Sequence, residues 1–166
     1  MEHKNWCQTQ IPFAIVEGIT AFSVACTCTR MTKQDYYFAL AMTASLRATC
    51  PRASVGAVAV RDGRVVATGY NGAPSGAAHC IDVGCEIVDG HCKRVQHAER
   101  NLGTQAMITG VSLSDTTVYV YDSQFRQEAC EDCAMLLYGG GVIGVYLATE
   151  EDVERISAHI HRAWQR

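Results

Sequence analysis

The chain has 166 residues, 48% of them hydrophobic and 19% charged, with a formal net charge of −3. That length suits one domain with a single core, and the balance excludes a disordered chain. No run of lysine and arginine exceeds two residues, so no stable nucleic-acid partner is expected. Nine cysteines are many for this length. Their odd number and their clustering are unlike a secreted disulfide framework, so they read as reduced thiols, mostly metal ligands, in a cytoplasmic protein.

Residues 1–30 read as an extension of unknown role ahead of one domain, 31–166. Ile11 to Ala25 is apolar but interrupted by Glu17 and Gly18. It is too short to span a bilayer and wrongly composed for a signal peptide, so no membrane association is expected. Cys26 and Cys28 have no matching pair nearby and read as stray thiols. Thr32 is an N-cap for a helix running to about Thr49, with Tyr37, Leu40, Ala41, Ala44 and Ala48 on one face. Pro51 ends it.

Val55 to Val60 reads as a strand, Asp62-Gly63 as a hairpin turn and Arg64 to Tyr70 as the partner strand. Asn71 to Gln96 is long for a connection, which implies that something other than secondary structure orders it. His97 to about Ile108 is a helix, and Thr116 to Tyr121 a third strand. Cys130 to Tyr138 is a helix stopped by Gly139-Gly140-Gly141. Val142 to Ala148 gives a fourth strand, and Glu150 to Trp164 a terminal helix with acids in its first turn. Strands alternating with helices imply an α/β architecture, a sheet covered by helices on both faces.

His97, Cys130 and Cys133 supply one imidazole and two thiolates at C-x-x-C spacing. Zinc favours such ligands, and three of them leave a fourth position for water. Both segments start helices, whose dipoles favour anionic sulfur. Glu99, two residues after the histidine, can sit beside that water without being a ligand and pass its proton on. A second ligand-rich group lies in and before the long loop. Cys50, Cys80, Cys85 and Cys92 suffice for a closed structural zinc, and His91 can replace one of them.

H-x-E followed by C-x-x-C is the signature of zinc nucleobase deaminases. Beyond it, Cys50-Pro51-Arg52, Val55-Gly56-Ala57, Gly69-Tyr70-Asn71-Gly72-Ala73-Pro74-Ser75-Gly76, His79-Cys80, Gly84-Cys85 and His91-Cys92 resemble the deoxycytidylate (dCMP) deaminase family, in its bacterial and phage branch. The resemblance implies a cytidine deaminase-like three-layer α/β/α sandwich with a central mixed sheet. It implies hydrolysis of dCMP to dUMP and ammonia, supplying thymidylate synthesis. His97, Cys130 and Cys133 would hold catalytic zinc, Glu99 would shuttle protons, and Asn71 would contact the sugar. It also implies a homohexamer with dCTP and dTTP as effectors, Mg²⁺ accompanying the effector, and a structural zinc at positions matching Cys50 and Cys80. Arg52, Lys93 and Arg94 flank the site; Arg52 and Arg94 are the candidates for a 5′-phosphate.

Three positions depart from the family pattern. Ala129 stands where a proline precedes the first thiolate, and Leu102 replaces a small residue after His-Ala-Glu-x-Asn. The segment from Tyr121 to Ala129, with Gln124, Phe125 and Arg126, is longer than the family's. Two alternatives therefore stand beside dCMP deamination: turnover of a different or modified cytosine nucleotide, and a silent zinc-bearing subunit that senses nucleotides. Glu99 argues against the silent subunit, which has no need of a non-ligand carboxylate there, and a redox C-x-x-C protein would need no His97.

Overall fold

The computed structural model describes residues 30–164, nearly all of them in the unit that begins at Thr32. The apolar run Ile11 to Ala25, Cys26 and Cys28 lie outside the described residues. Helix α1 spans Lys33–Ser45, and the Thr32 hydroxyl caps it by accepting from the Asp35 amide at 3.1 Å. It stops four residues short of the expected Thr49. Arg47 and Ala48 instead donate to Ala44 and Ser45, and Thr49 donates to the Asn71 carbonyl, which turns the chain toward the sheet. The buried face also differs from the expected stripe: Asp35, Tyr37, Phe38, Ala41 and Ser45 are buried, whereas Leu40, Ala44 and Ala48 are half-buried. Gly56 explains this. A Cβ there would lie 2.0 Å from the Ala41 carbonyl oxygen, so the helix backbone itself rests on the sheet through its smallest residues.

Strands β1 (Val55–Arg61) and β2 (Arg64–Tyr70) form the expected hairpin, with Asp62 and Gly63 both at positive φ, as a two-residue turn requires. Helix α2 (Cys80–Val83) and the short strands β3 (Ile87–Val88) and β4 (His91–Cys92) occupy the long connection. Then follow α3 (Ala98–Thr109), β5 (Thr117–Asp122), α4 (Glu131–Gly139), β6 (Gly144–Leu147) and α5 (Glu150–Trp164). The main sheet has the order β2-β1-β5-β6, antiparallel except for the parallel β5/β6 pair. The fourth strand is shorter than Val142 to Ala148 because Val142 bonds back to Leu137 and packs into the core.

Strand β1 is buried on both faces, and its period of two separates two cores. Val55, Ala57 and Ala59 join Ala98, Leu102, Val118, Val120 and Leu137 beneath α3 and α4. Val58 and Val60 join Tyr37 and Ala41 beneath α1. Gly69 does for α3 what Gly56 does for α1, since a Cβ there would meet the Ala98 oxygen at 2.4 Å. Helix α5 packs on α1. The molecule is thus the three-layer α/β/α sandwich with a mixed sheet.

An ion pair clamps α5 to α1. Arg155 donates through Nε and Nη2 to Asp35, which is buried, and also to Asp152. Hydrogen bonding from Arg155 holds the Asp35 carboxyl below its ordinary range, against the opposing effect of burial. A carboxylate whose folded pKa is depressed adds stability that is complete above its unfolded pKa of about 3.9 and disappears as pH falls through the folded value. Thermal melts from pH 7 down to pH 2 should therefore show Arg155→Met less stable than the parent at pH 7, by about 2 kcal/mol. That difference should shrink below about pH 4. A difference independent of pH would assign the loss to packing.

Candidate active site

Two helix starts converge at one end of the sheet. His97 is the N-cap of α3 and Cys130 the N-cap of α4, both in extended conformation, and Cys133 lies in the first turn of α4. The His97 Nδ1 is 3.3 Å from the Cys130 sulfur and 3.5 Å from the Cys133 sulfur. Tetrahedral zinc with Zn–S near 2.3 Å and Zn–N near 2.0 Å sets its ligand atoms roughly 3.5–3.8 Å apart, so this set fits the ion through Nδ1. Burial pushes the Cys133 thiol up, and the nearby Glu99 and Cys130 push it further. Such a thiol ionises when a cation is beside it, which is a second mark of fit.

Glu99 is 6% exposed in the first turn of α3. Among the described residues none hydrogen-bonds its carboxylate. It lines, with His97 and Cys130, a cavity of about 390 Å³. Helix α3 is held in place by Asn101, whose Nδ2 donates to the Tyr70 carbonyl at 2.7 Å, and by the Gly72–Gln96 bridge that closes the long loop just before His97.

Asn71 and Arg52 also line the cavity. The buried Asn71 side chain accepts from the Val55 amide at 2.8 Å and donates to the Ala53 carbonyl at 2.7 Å, so it fixes the entrance to β1. Arg52 Nη2 donates to the Gly90 carbonyl at 3.1 Å. Arg94, expected at a phosphate, does not line the cavity; its guanidinium lies 3.6 Å from Glu86. Lys93 is not among the lining residues either. Asp122 and Glu128, which the sequence reading passed over, do line it, together with Gln124 and Arg126. Asp122 ends β5 and Glu128 lies in the turn-rich loop after it, so no strand or helix period in the sequence pointed to Glu128.

The second cysteine group also assembles. Sulfur atoms of Cys50, Cys80 and Cys85 lie within 4.8 Å of one another, and Cys92 lies 3.6 Å from Cys80. Burial pushes the Cys80 thiol up to about 12, with Cys92 and Cys85 adding to it. His91 is not in this cluster. It is exposed on β4 and lines the cavity, as Cys92 also does. Thr49 Oγ1, His79 Nδ1 and Arg94 Nε are buried without a partner among the described residues, each within two positions of a cluster cysteine. The long loop is therefore ordered partly by a single helical turn and a small hairpin, and partly by three sulfurs gathered at one point with the Cys92 sulfur against that of Cys80.

Residues 31–149 match the family model described as the cytidine and deoxycytidylate deaminase zinc-binding region. The chain belongs to this family. ComE operon protein 2 of Bacillus subtilis (strain 168) is 39% identical over 121 residues, covering 73% of this chain and 61% of that protein. Deoxycytidylate deaminase of Mycobacterium phage D29 is 33% identical over 117 residues, 65% of this chain and 88% of that protein. Among solved structures, dCMP deaminase from cyanophage S-TIM5, in complex with dCMP and dUMP, is similar with a TM-score of 0.59 at 26% identity. That match covers 76% of this chain and 90% of the cyanophage chain. Cytidine deaminase from Mycobacterium tuberculosis, at 22% identity and a TM-score of 0.50, shares the fold.

Against the deaminase family pattern, Leu102 is fully buried in the core below α3. Ala129 precedes the N-cap thiolate, and the lengthened loop occupies residues 123–129.

Proposed function

We propose that the chain is a zinc-dependent hydrolase that converts dCMP and water to dUMP and ammonia. The observation that carries this reading is the meeting of His97, Cys130 and Cys133 at one point, with His97, Cys130 and the buried carboxylate of Glu99 lining a single cavity. The deaminases of phage D29 and cyanophage S-TIM5 support the choice of dCMP. The chain matches 61% of the Bacillus protein's length.

Zinc held by His97 Nδ1, Cys130 and Cys133 would supply a Lewis acid that makes water nucleophilic near neutral pH. Glu99 takes a proton from the attacking water and delivers it to ring N3 while the oxygen bonds to C4. Glu99 then carries the second proton to the exocyclic amine, and the C4–N bond breaks to release ammonia. Its burial and lack of protein partners suit it to that work. Asn71 keeps one N–H and one lone pair spare for the sugar, since each polar atom of its amide makes one bond to the backbone.

A structural zinc at Cys50, Cys80, Cys85 and Cys92 belongs to the same reading, as do dCTP and dTTP effectors with Mg²⁺, a single catalytic domain over 31–166 and a cytoplasmic setting. Self-association, a hexamer by the resemblance, is supported by exposed Met107 and Ile108 on α3 and Met135, Leu136 and Tyr138 on α4. No helix among the described residues is long and apolar enough to cross a membrane.

Ammonia release from purified protein with dCMP, CMP, deoxycytidine, dCTP and 5-substituted dCMP tests the reading. The expected result is turnover highest on dCMP, in a sample holding zinc. Turnover confined to a 5-substituted nucleotide would move the assignment to a modified substrate, and zinc without turnover would leave a sensing subunit.

A further inference from the structure

Strand β5 delivers the chain into the cavity at Asp122, and the loop that follows is fastened at several points. The Ser123 amide donates to the Ser54 carbonyl at 3.0 Å, and the Ser54 amide returns a bond to the Ser123 hydroxyl at 2.9 Å. Gln124 Nε2 donates to the Arg52 carbonyl at 2.9 Å, tying the loop to the opposite wall. Phe125 turns the chain at φ +49°, in the left-handed region that a bulky residue rarely adopts, and its ring packs edge-on against Tyr121. A loop held this way presents its side chains in set directions.

Arg126 is the side chain it presents. Its Nε donates to Asp122 Oδ2, while Asp122 Oδ1 accepts from the Gln124 amide at 2.9 Å. Asp122 is buried; Arg126 is 53% exposed and lines the cavity. The guanidinium is thus gripped by its inner nitrogen alone, and its Nη1 and Nη2 have no partner among the described residues. Two adjacent N–H groups in one plane match two oxygens of a phosphate. The other arginine lining the cavity, Arg52, has Nη2 committed to Gly90, and Arg94 lies elsewhere.

We infer that Arg126 binds the 5′-phosphate of the substrate, with Asp122 as the positioning residue that aims it, so that the lengthened loop makes the site select nucleotides over nucleosides. This rests on the deaminase reading for the base and adds the residue that decides the sugar-phosphate end. Glu128 of the same loop also lines the cavity.

The test compares dUMP with deoxyuridine as ligands, by calorimetry on the zinc-loaded protein, and dCMP with deoxycytidine as substrates. Arg126→Ala should weaken dUMP at least 30-fold and leave deoxyuridine within 2-fold. Its loss in kcat/KM on dCMP should fall mainly in KM. Arg126→Lys, which keeps charge but loses the planar fork, should recover part of the preference. Asp122→Asn should lower the dUMP-to-deoxyuridine ratio without changing deoxyuridine binding. Equal losses for both ligands, or no loss for either, would overturn the inference, as would a parent protein that binds dUMP no better than deoxyuridine. The binding arm is independent of turnover. A parent that prefers dUMP through Arg126 yet deaminates no cytosine nucleotide would defeat the proposed function and keep the phosphate site.

Discussion

Glu99→Gln is expected to keep its zinc and lose turnover by about 10³-fold, the range over which a positioned general acid–base group acts. The amide is nearly isosteric with the carboxylate, so the cavity and the His97, Cys130 and Cys133 set should be undisturbed. What disappears is a group that can accept a proton and return it. The carboxylate is buried in the first turn of α3 beside Cys133 and receives no hydrogen bond among the described residues, so no structural partner would be lost with it. Metal content and ammonia release measured on the same sample separate the two effects. Parent-like turnover with zinc retained would remove Glu99 from the mechanism, and loss of zinc would make it a structural support of the metal.

On the proposed structural zinc, Cys80→Ser should release that ion and lower stability by roughly 3 kcal/mol, about 10 °C in a chain of this size. Cys80 is 3% exposed, with Cys92 at 3.6 Å and with Cys50 and Cys85 in the same sulfur cluster. Burial and the neighbouring sulfurs oppose ionisation of Cys80, which a cation beside it would reverse. Activity should fall as well, because Cys50, Gly90, His91 and Cys92 form one wall of the catalytic cavity. His91→Ala is the matched control. It alters the same hairpin but lies outside the cluster, so the zinc count should stay at two. Two zinc ions bound to Cys80→Ser would refute the four-sulfur set.

Much of the fold was legible because burial writes itself into periodicity. The hairpin at Asp62-Gly63 and the break at Gly139-Gly140-Gly141 follow from local rules about positive φ and helix termination. The face of α1 was not legible. Its buried stripe includes Asp35 and Ser45, because the helix rests on Gly56 and is clamped by Arg155 from 120 residues away. Composition within the helix carries no trace of either contact.

By itself the sequence displayed the candidate ligands of this protein: an imidazole and two thiolates, with a carboxylate beside them, at spacings that helix starts can bring together, and a loop rich in further sulfur. Those properties belong to residue type and local spacing, which the chain states directly. Only the tertiary structure decided which neighbours of these groups share a wall. It kept His91 out of the sulfur cluster although both His91 and Cys92 line the cavity, set Arg94 outside the cavity, and turned the lengthened loop so that Asp122 holds Arg126 over it. Such choices depend on how strands far apart in the chain are paired, which no local spacing records.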